Sequence, residues 1–459
     1  ADQFQLNLFT PGLLGYFLVA IFTPLLGIVL ASKLVVWLAL AAFALSSRFL
    51  LRQTGADTHW AWLTFPVMYG FAFQWGFLNF LITVPLGIMF LALVWRQVDN
   101  CNWRSSLMVA FMLNLLFYCH ALVMALFVLI ATAYWLFSSK RIQDFIKYAW
   151  PLATLAPIVI AWFIITSKHS LSSSPVEWDL SWLNTTDGYY AYIASWANST
   201  DPGWGRGTGF IPRMLGERPG LFVTILGIFL FALPFIAGGR IAKSRVRLIP
   251  LLSAALVILF LPSVLFGNVF TVQRFALLAM PLFLVMIDAA SNPTPIQRYL
   301  RMLAPVIAIG WIAHMSINAL QFNKDADGFQ TVLSKMEPHK HAISLIFSRD
   351  DTHSISPTFI HFPAWYSAIN AGITNPSFAE TYMQPVIYQP EYVPKARFQG
   401  FAWNPKWFNW QKHEGKLYDY FVVRADKDVS PFIFRTAQCR IRLVTHSGLW
   451  WLYERDPAC

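Results

Sequence analysis

The sequence predicts a polytopic α-helical membrane domain followed by a C-terminal α/β domain. The 459 residues are 56% hydrophobic and only 12% charged, about half the charged fraction of an ordinary soluble protein. The charges are also unevenly placed, because residues 1–319 hold 29 of them and residues 320–459 hold 28. We therefore expect a transmembrane domain over residues 1–319 and a soluble domain over residues 320–459. This composition excludes a cytosolic enzyme, a disordered scaffold and a secreted disulfide-rich domain.

Apolar stretches recur along the first domain, and a spanning helix needs about 20 such residues. They cover residues 34–51, 61–78, 80–95, 105–119, 120–137, 148–166, 220–238, 248–265, 272–289 and 302–319. A further stretch, residues 11–31, carries two prolines and three glycines that weaken a straight helix. It is either a span or a re-entrant or interfacial segment, and the second fits the topology better. The sequence thus predicts about 10–11 membrane helices.

Basic residues indicate how these helices are oriented. Thirteen of the 19 Lys and Arg residues before residue 320 fall in every second loop, and loops of this kind face the cytoplasm. The alternate loops then face outward, together with the large loop 167–219 and the C-terminal domain. The net charge of +11 lies mostly in short cytoplasmic loops, so it does not indicate a nucleic-acid partner.

The C-terminal domain shows strand and turn signals. Residues 342–347 and 420–423 are apolar runs of strand character, and residues 440–445 and 449–453 flank a Ser-Gly turn that predicts a hairpin. Two cysteines flank this hairpin, Cys439 and Cys459. On an oxidising outer side they can form a disulfide, and the alternative is two free thiols. The other two, Cys101 and Cys119, are expected to be inert.

A few polar residues lie at the predicted outer ends of the membrane helices, where polar groups are costly and often functional. They are Gln74, Trp75, Asn79, His120, Asn268, Gln273 and Arg274. Arg274 has no acid close in sequence, and a guanidinium in that position can bind a phosphate through two parallel hydrogen bonds. The alternative is a snorkelling arginine that anchors a helix end. A histidine between apolar runs, as at His120, is more often a packing residue than a base, and a structural role is also favoured for the Trp75–Asn79 turn.

Several patterns resemble the bacterial members of the GT-C superfamily of integral membrane glycosyltransferases. In the membrane domain they are an apolar segment that opens with a proline before the helix carrying Arg48 and Arg52, the Phe-x-Trp-Gly-Phe-Leu-Asn stretch at 73–79, and His120 in a helix break. In the C-terminal domain they are the motifs His361-Phe362-x-Ala364-x-Tyr366, Tyr418-Asp419-Tyr420 and Trp451-Leu452-Tyr453. The resemblance covers most of the chain and depends on diffuse patterns.

The resemblance implies transfer of a sugar from a polyprenyl-phosphate donor at the outer face of the bacterial inner membrane, with the C-terminal domain in the periplasm. In this superfamily an Asp or Glu in the first outer loop serves as base or as ligand of a divalent metal ion. The matching region here begins after that loop, and Asp2 is the only acid before residue 11. Either a segment before Ala1 is cleaved or a further helix precedes it, and the second is favoured. An acidic loop after that helix would support an enzyme, and its absence would support a scaffold.

Two functions remain open at this point. In a glycosyltransferase, Arg274 would bind the lipid-linked phosphate with Gln273 beside it, His120 and Asp2 would be the catalytic candidates, and Trp75 and Asn79 would shape the sugar site. Three aromatic residues of the large outer loop are candidates for stacking on sugars, namely Trp182, Tyr189 and Trp204. In the alternative, the same fold is a non-catalytic scaffold or accessory subunit that binds other membrane proteins.

Overall fold

The computed structural model describes residues 3–167, 210–218, 220–261, 270–271, 273–290, 292–349, 356–380, 384–392 and 403–458. The chain divides into two compact units. One is a helical unit, Leu8–Met315, and the other, the sheet unit, combines Ala1–Asn7 with Ser316–Cys459. The division falls within a helix, close to the boundary after residue 319 that the sequence predicts.

Within the described ranges the α-helices and strands are as follows. The helices are α1 Leu14–Gln53, α2 Thr64–Met68, α3 Phe71–Gln74, α4 Leu78–Asp99, α5 Trp103–Cys119, α6 Ala121–Ser138, α7 Ile142–Ala149, α8 Pro151–Ser167, α9 Phe210–Leu215, α10 Leu221–Ile236, α11 Ile249–Phe260, α12 Ala279–Leu284, α13 Pro295–Asp325, α14 Phe329–Leu333, α15 Trp365–Asn370 and α16 Ser430–Ile433. The strands are β1 Phe4–Leu6, β2 Arg240–Ile241, β3 Ile287–Asp288, β4 His341–Ile346, β5 Ile373–Asn375, β6 Val386–Tyr388, β7 Tyr420–Arg424, β8 Ile441–Ser447 and β9 Trp450–Arg455.

Four helices are long and apolar enough to cross a membrane, namely α1, α4, α6 and α13, and α7 with α8 forms a fifth candidate that bends by 55°. The predicted spans at residues 61–78 and 272–289 are instead successions of short helical turns. Two glycines interrupt the first of these spans: Gly70 has an extended backbone before Phe71–Gln74, and Gly76 has a φ of +67° before α4, so neither continues a helix. The helical unit therefore has the several apolar helices of a membrane protein, with fewer long spans among its described residues than the 10–11 predicted.

Helix α1 covers most of the segment that the sequence left open between a span and a re-entrant turn. It runs over 40 residues, and Gly27 interrupts it with a φ of 72° and a ψ of 158°. A Cβ at Gly27 would meet no other atom within 4 Å, so the break follows from the backbone conformation rather than from a close neighbour. The two arms on either side of Gly27 are both helical.

Helix α4 lies at the centre of the helical unit and packs against α1, α5 and α6. It is apolar on nearly all sides, which is typical of a buried helix. Its one buried amide, Gln97, is satisfied by three neighbours: it accepts from Trp135 Nε1 at 3.1 Å and donates to Ser106 Oγ at 2.9 Å and to the Tyr148 carbonyl at 3.1 Å. Gln97 thereby ties α4 to three other segments without leaving an unpaired polar group.

The sheet unit contains a five-stranded sheet in the order β5-β4-β7-β9-β8. Strand β4 is parallel to β5 and β7, whereas β9 is antiparallel to β7 and β8. The predicted strands at residues 342–347 and 420–423 are confirmed as β4 and β7. The predicted hairpin is confirmed as β8 and β9, with Gly448 at a φ of 58° in the turn.

A two-stranded ribbon joins the start of the chain to the sheet unit. Strand β1 pairs antiparallel with β6, with Phe4 opposite Tyr388 and Leu6 opposite Val386. Two further backbone bonds extend the pairing, from Gln389 N to the Gln3 carbonyl at 2.9 Å and from Asn7 N to the Pro385 carbonyl at 2.8 Å. The sequence did not predict this ribbon, because three residues are too short for a strand signal.

Candidate functional site

His120 forms the break between α5 and α6. Its backbone is extended, with a φ of −170° and a ψ of 108°, and it ends one helix and begins the next. The imidazole meets the edge of the Phe80 ring at a centroid distance of 5.5 Å. Its Nδ1 atom is buried and makes no hydrogen bond to another described residue. This histidine therefore keeps hydrogen-bonding capacity at a break in two apolar helices.

Arg274 lies in the 3₁₀ turn Gln273–Leu278, in which every side chain is buried. Its guanidinium carbon lies 3.8 Å from the centroid of the Phe77 ring, which is a cation–π contact in apolar surroundings. The positive charge of Arg274 also acts on the His120 imidazole. Phe80 packs between the two segments, since its ring contacts both His120 and Phe275, each at 5.5 Å.

Phe71, Trp75, Phe77 and Phe270 form an aromatic cluster, and the guanidinium of Arg274 contacts its Phe77 ring. The Trp75 ring lies 4.4 Å from that of Phe270 and is nearly parallel to that of Phe77, at 6.2 Å. The ring of Phe71 contacts Trp75 at 5.4 Å and Phe270 at 5.6 Å. The structure thus brings Trp75, His120 and Arg274 into one region, and Gln273 is buried next to Arg274 in the chain.

Asn79 makes a structural contact. Its Oδ1 accepts a hydrogen bond from Gly15 N at 3.0 Å, so it binds a backbone donor of the first turn of α1, where such groups lack helical partners. The preceding residues are also held: Gly12 N and Leu13 N both donate to the Tyr118 carbonyl, at 3.0 and 2.9 Å. The start of α1 is therefore fixed beside the break at His120.

Helix α9 adds residues that the sequence did not single out. It lies inside the predicted loop 167–219, yet it packs against the Gln273–Leu278 turn and buries Arg213. Shortly after it, Glu217 pairs with His314 of α13 at 2.7 Å. The sequence feature that could have predicted this helix is the mostly apolar run Phe-Ile-Pro-Arg-Met-Leu at 210–215. The run is so short that it does not distinguish a helix from a loop. Two buried arginines thus belong to neighbouring segments of the helical unit.

The structure does not describe all of the predicted site residues. Asp2, Trp182, Tyr189, Trp204 and Asn268 lie outside the described residues, as does Cys459. Cys439 is disulfide-bonded, whereas Cys101 and Cys119 are free thiols.

Divalent metal ions prefer clusters of carboxylates. Among the described ranges, no group of three or more His, Cys, Asp or Glu residues is placed to hold a metal. The chemistry that Arg274 and His120 support is anion binding by a guanidinium, with a nearby imidazole able to donate or accept a proton.

Comparison with known proteins leaves the family open. No family model matches the chain, and neither a curated protein nor a solved structure matches it. The site is therefore interpreted from its own residues.

Proposed function

We propose that the protein is a membrane-embedded glycosyltransferase that takes its sugar from a polyprenyl-phosphate donor and transfers it at the outer, periplasmic face of the bacterial inner membrane. The observation that carries this proposal is the buried guanidinium of Arg274, which lies on the Phe77 ring in an apolar helical unit and whose positive charge acts on His120. A lipid phosphate joins an apolar chain to an anion, and this region offers surroundings suited to both.

The chemistry follows from these groups. The acceptor hydroxyl attacks the anomeric carbon of the sugar, the bond from that carbon to the phosphate oxygen breaks, and its electron pair stays on the phosphate. Arg274 stabilises the charge that develops there, and the attraction is stronger in apolar surroundings than in water. His120 takes the proton that the acceptor hydroxyl loses. In this proposal Trp75 and Gln273 line the sugar and phosphate site.

Binding of undecaprenyl phosphate to the purified full chain tests the role of Arg274. Arg274→Ala removes charge-assisted hydrogen bonds worth about 1.5–3 kcal/mol, so we expect its affinity to fall by about 10- to 100-fold. Arg274→Lys keeps the charge and loses the planar fork, and its affinity is expected to be intermediate. Native mass spectrometry in detergent measures the affinity of the wild type and of both variants for undecaprenyl phosphate.

Arg104→Ala is the matched control, because Arg104 also lies over an aromatic ring, that of Trp103 at 5.5 Å, but is exposed. Its binding is expected to equal that of the wild type. Unchanged binding by Arg274→Ala would remove the phosphate role, and an equal loss in Arg104→Ala would indicate a nonspecific charge effect.

His120→Asn tests the proton-transfer step separately. The asparagine keeps polarity at the break but cannot act as a base at neutral pH, so we expect transfer to fall by about 10²- to 10⁴-fold while undecaprenyl phosphate still binds. Release of polyprenyl phosphate from a lipid-linked sugar extract, followed by mass spectrometry, gives the rate. Full transfer activity of His120→Asn would show that His120 is a packing residue and not the base.

An accessory subunit of a membrane complex is the second candidate. It is favoured by one observation: among the described residues, no group of three or more His, Cys, Asp or Glu residues is placed to hold a metal ion, whereas the transferase resemblance implies an acid that can serve as a metal ligand. Extraction in a mild detergent distinguishes the transferase from the accessory subunit. A defined complex with other membrane proteins, together with normal complex assembly by His120→Asn and Arg274→Ala, would favour the subunit.

A further inference from the structure

We propose that helix α7, together with the turn before it, binds anionic phospholipid in the headgroup layer on the side of the membrane where α6 ends and α8 begins. The occupant is a bilayer lipid such as phosphatidylglycerol, whose phosphate is bound by Lys140, Arg141 and Lys147. The proposal requires that the apolar helices lie in a bilayer, and it does not depend on the transferase activity. All of the residues that carry it belong to the helical unit.

Helix α7 lies at one end of the neighbouring long helices. Only three residues separate the end of α6 from the start of α7. The Gln97 side chain of α4 donates to the Tyr148 carbonyl of α7 and accepts from Trp135 of α6, each at 3.1 Å. Helix α6 has 18 residues and can cross a membrane, since it is about 27 Å long and the hydrocarbon core is about 30 Å thick. Helix α7 therefore lies at a boundary of that core.

The bend between α7 and α8 keeps α7 close to this boundary. The two helices differ in direction by 55°, and α8 alone has 17 residues, which is about 26 Å of helix. The eight residues of α7 extend only about 7 Å further along the direction of α8. A headgroup layer is about 5–8 Å thick. Helix α8 is thus long enough for the core by itself, and α7 fits the headgroup layer beside it.

Helix α7 has one apolar side that packs and another that is exposed. Phe145 and Ala149 pack against the core of the helical unit. Ile142, Ile146 and Trp150 follow one another at intervals of four residues, so they share a different side, and they are 69%, 61% and 38% exposed. At a membrane boundary this side lowers its free energy by entering between headgroups and acyl chains. Tryptophan in particular is enriched at that level of the bilayer.

The charges of the same segment select an anionic lipid. Lys140, Arg141 and Lys147 are exposed, and none of the ion pairs among the described residues involves them. Asp144 is the one acid of α7, and its carboxylate accepts a hydrogen bond from Arg141 N at 3.1 Å. Three basic residues against one acid leave a net charge of +2 over residues 139–150. Basic groups beside an apolar side match a phosphate that is joined to acyl chains.

Lipid binding by the purified full chain tests the role of the basic residues. Native mass spectrometry in detergent compares the binding of added phosphatidylglycerol and phosphatidylcholine, and we expect the wild type to bind phosphatidylglycerol more tightly. Lys140→Gln, Arg141→Gln and Lys147→Gln combined should lower the affinity for phosphatidylglycerol by about 10- to 100-fold, because each basic residue contributes to binding an anionic lipid. Binding of phosphatidylcholine should not change.

A matched control removes the same amount of charge from another surface. Lys406→Gln, Lys412→Gln and Lys416→Gln combined neutralise three exposed lysines of the sheet unit, and this variant should bind both lipids as the wild type does. Equal binding of the two lipids by the wild type would overturn the proposal. An equal loss in the two triple variants would also overturn it, because the effect would then follow net charge and not α7.

Photo-crosslinking keeps all three basic residues and tests the exposed apolar side separately. The photoreactive residue p-benzoylphenylalanine replaces Ile146 or Leu129 in the full chain, in nanodiscs of phosphatidylethanolamine and phosphatidylglycerol. Leu129 is the reference for a lipid-facing side chain, since it belongs to α6 and is 48% exposed. We expect phospholipid adducts at both positions. Adducts at position 129 alone would overturn the proposal, and adducts at neither position would contradict its requirement that the helices lie in a bilayer.

Discussion

The Tyr366 hydroxyl is a buried group whose titration makes the stability of the sheet unit depend on pH. It accepts a hydrogen bond from Lys340 N at 3.2 Å and donates one to the Glu337 carbonyl. Burial raises the pKa of Tyr366 to about 12, against about 10 in an unfolded chain. A raised pKa contributes stability that is complete below pH 10 and is lost as the pH rises toward 12.

Tyr366→Phe should lower the free energy of unfolding by about 1 kcal/mol at pH 7, because it removes a buried hydrogen bond. This difference from the wild type should shrink between pH 10 and pH 12, since only the wild type titrates there. Thermal unfolding of the full chain across this range measures it. Tyr392→Phe, at an exposed tyrosine, should change nothing, and a constant difference for Tyr366→Phe would show that titration of the hydroxyl plays no part.

Asp57 and Arg301 form the best-buried of the ion pairs that involve a described carboxylate. Two bonds of 2.6 and 3.1 Å join them, and the Asp57 side chain is only 8% exposed. Asp57→Asn leaves the guanidinium without its counter-charge and should lower the stability by about 3 kcal/mol. Glu337→Gln breaks an exposed pair with Lys340 at 3.8 Å and should have an effect below about 1 kcal/mol. Equal shifts in the thermal unfolding of the two variants would contradict the assigned difference in burial.

Helices α4 and α6 cross closely at a single glycine. A Cβ at Gly87 would lie 2.1 Å from the Phe127 ring, whereas a Cβ at Gly310 of α13 would meet no other atom within 4 Å. Small residues permit such close contact between membrane helices. Gly87→Ala should therefore destabilise the helical unit by about 1–3 kcal/mol, and Gly310→Ala should be neutral or stabilise it by up to about 1 kcal/mol. Thermal unfolding in detergent compares them, and a neutral Gly87→Ala would show that the two helices can move apart.

The sequence predicted elements well where a local pattern defines them. Strands β4 and β7 follow apolar runs, and the β8–β9 hairpin follows its Ser-Gly turn. Apolar composition was less informative for the helices, because a run such as 61–78 is equally apolar whether it forms one span or several short turns. The extended backbone of Gly70 and the positive φ of Gly76 break the run into short turns, and apolar composition alone does not predict these backbone conformations.

In the candidate site, too, some residues could be predicted from the sequence and others could not. Arg274, His120 and Trp75 stood out as polar or amphipathic residues in apolar surroundings, and the structure places them together. The roles of Asn79 and Arg213 could not be read from the sequence. The first depends on the approach of Gly15 to the start of α4, and the second on helix α9 packing against a turn some 60 residues later.

The disulfide bond affects the stability of the molecule as a whole. Cys439 is disulfide-bonded, and we predict Cys459 as its partner, so that the bond closes a loop around the terminal hairpin. Closure of a loop of this size stabilises a chain by about 3 kcal/mol. Cys439→Ser should therefore lower the stability by that order. Mass spectrometry of a non-reducing digest should show the two cysteines in one linked peptide, and a free thiol at Cys459 would contradict the pairing.

The β1–β6 ribbon has a consequence for the order in which the protein is made. Phe4 pairs with Tyr388, 384 positions later. At a synthesis rate of about 5–20 residues per second, roughly 20–80 seconds pass between the appearance of the first strand and that of its partner. All helices of the helical unit are made during this interval, so both strands must be delivered to the same side of the membrane before they can pair. A ribosome that stops before residue 386 leaves Phe4–Leu6 without a partner strand, and pairing of this ribbon is therefore a late step in the biogenesis of the protein.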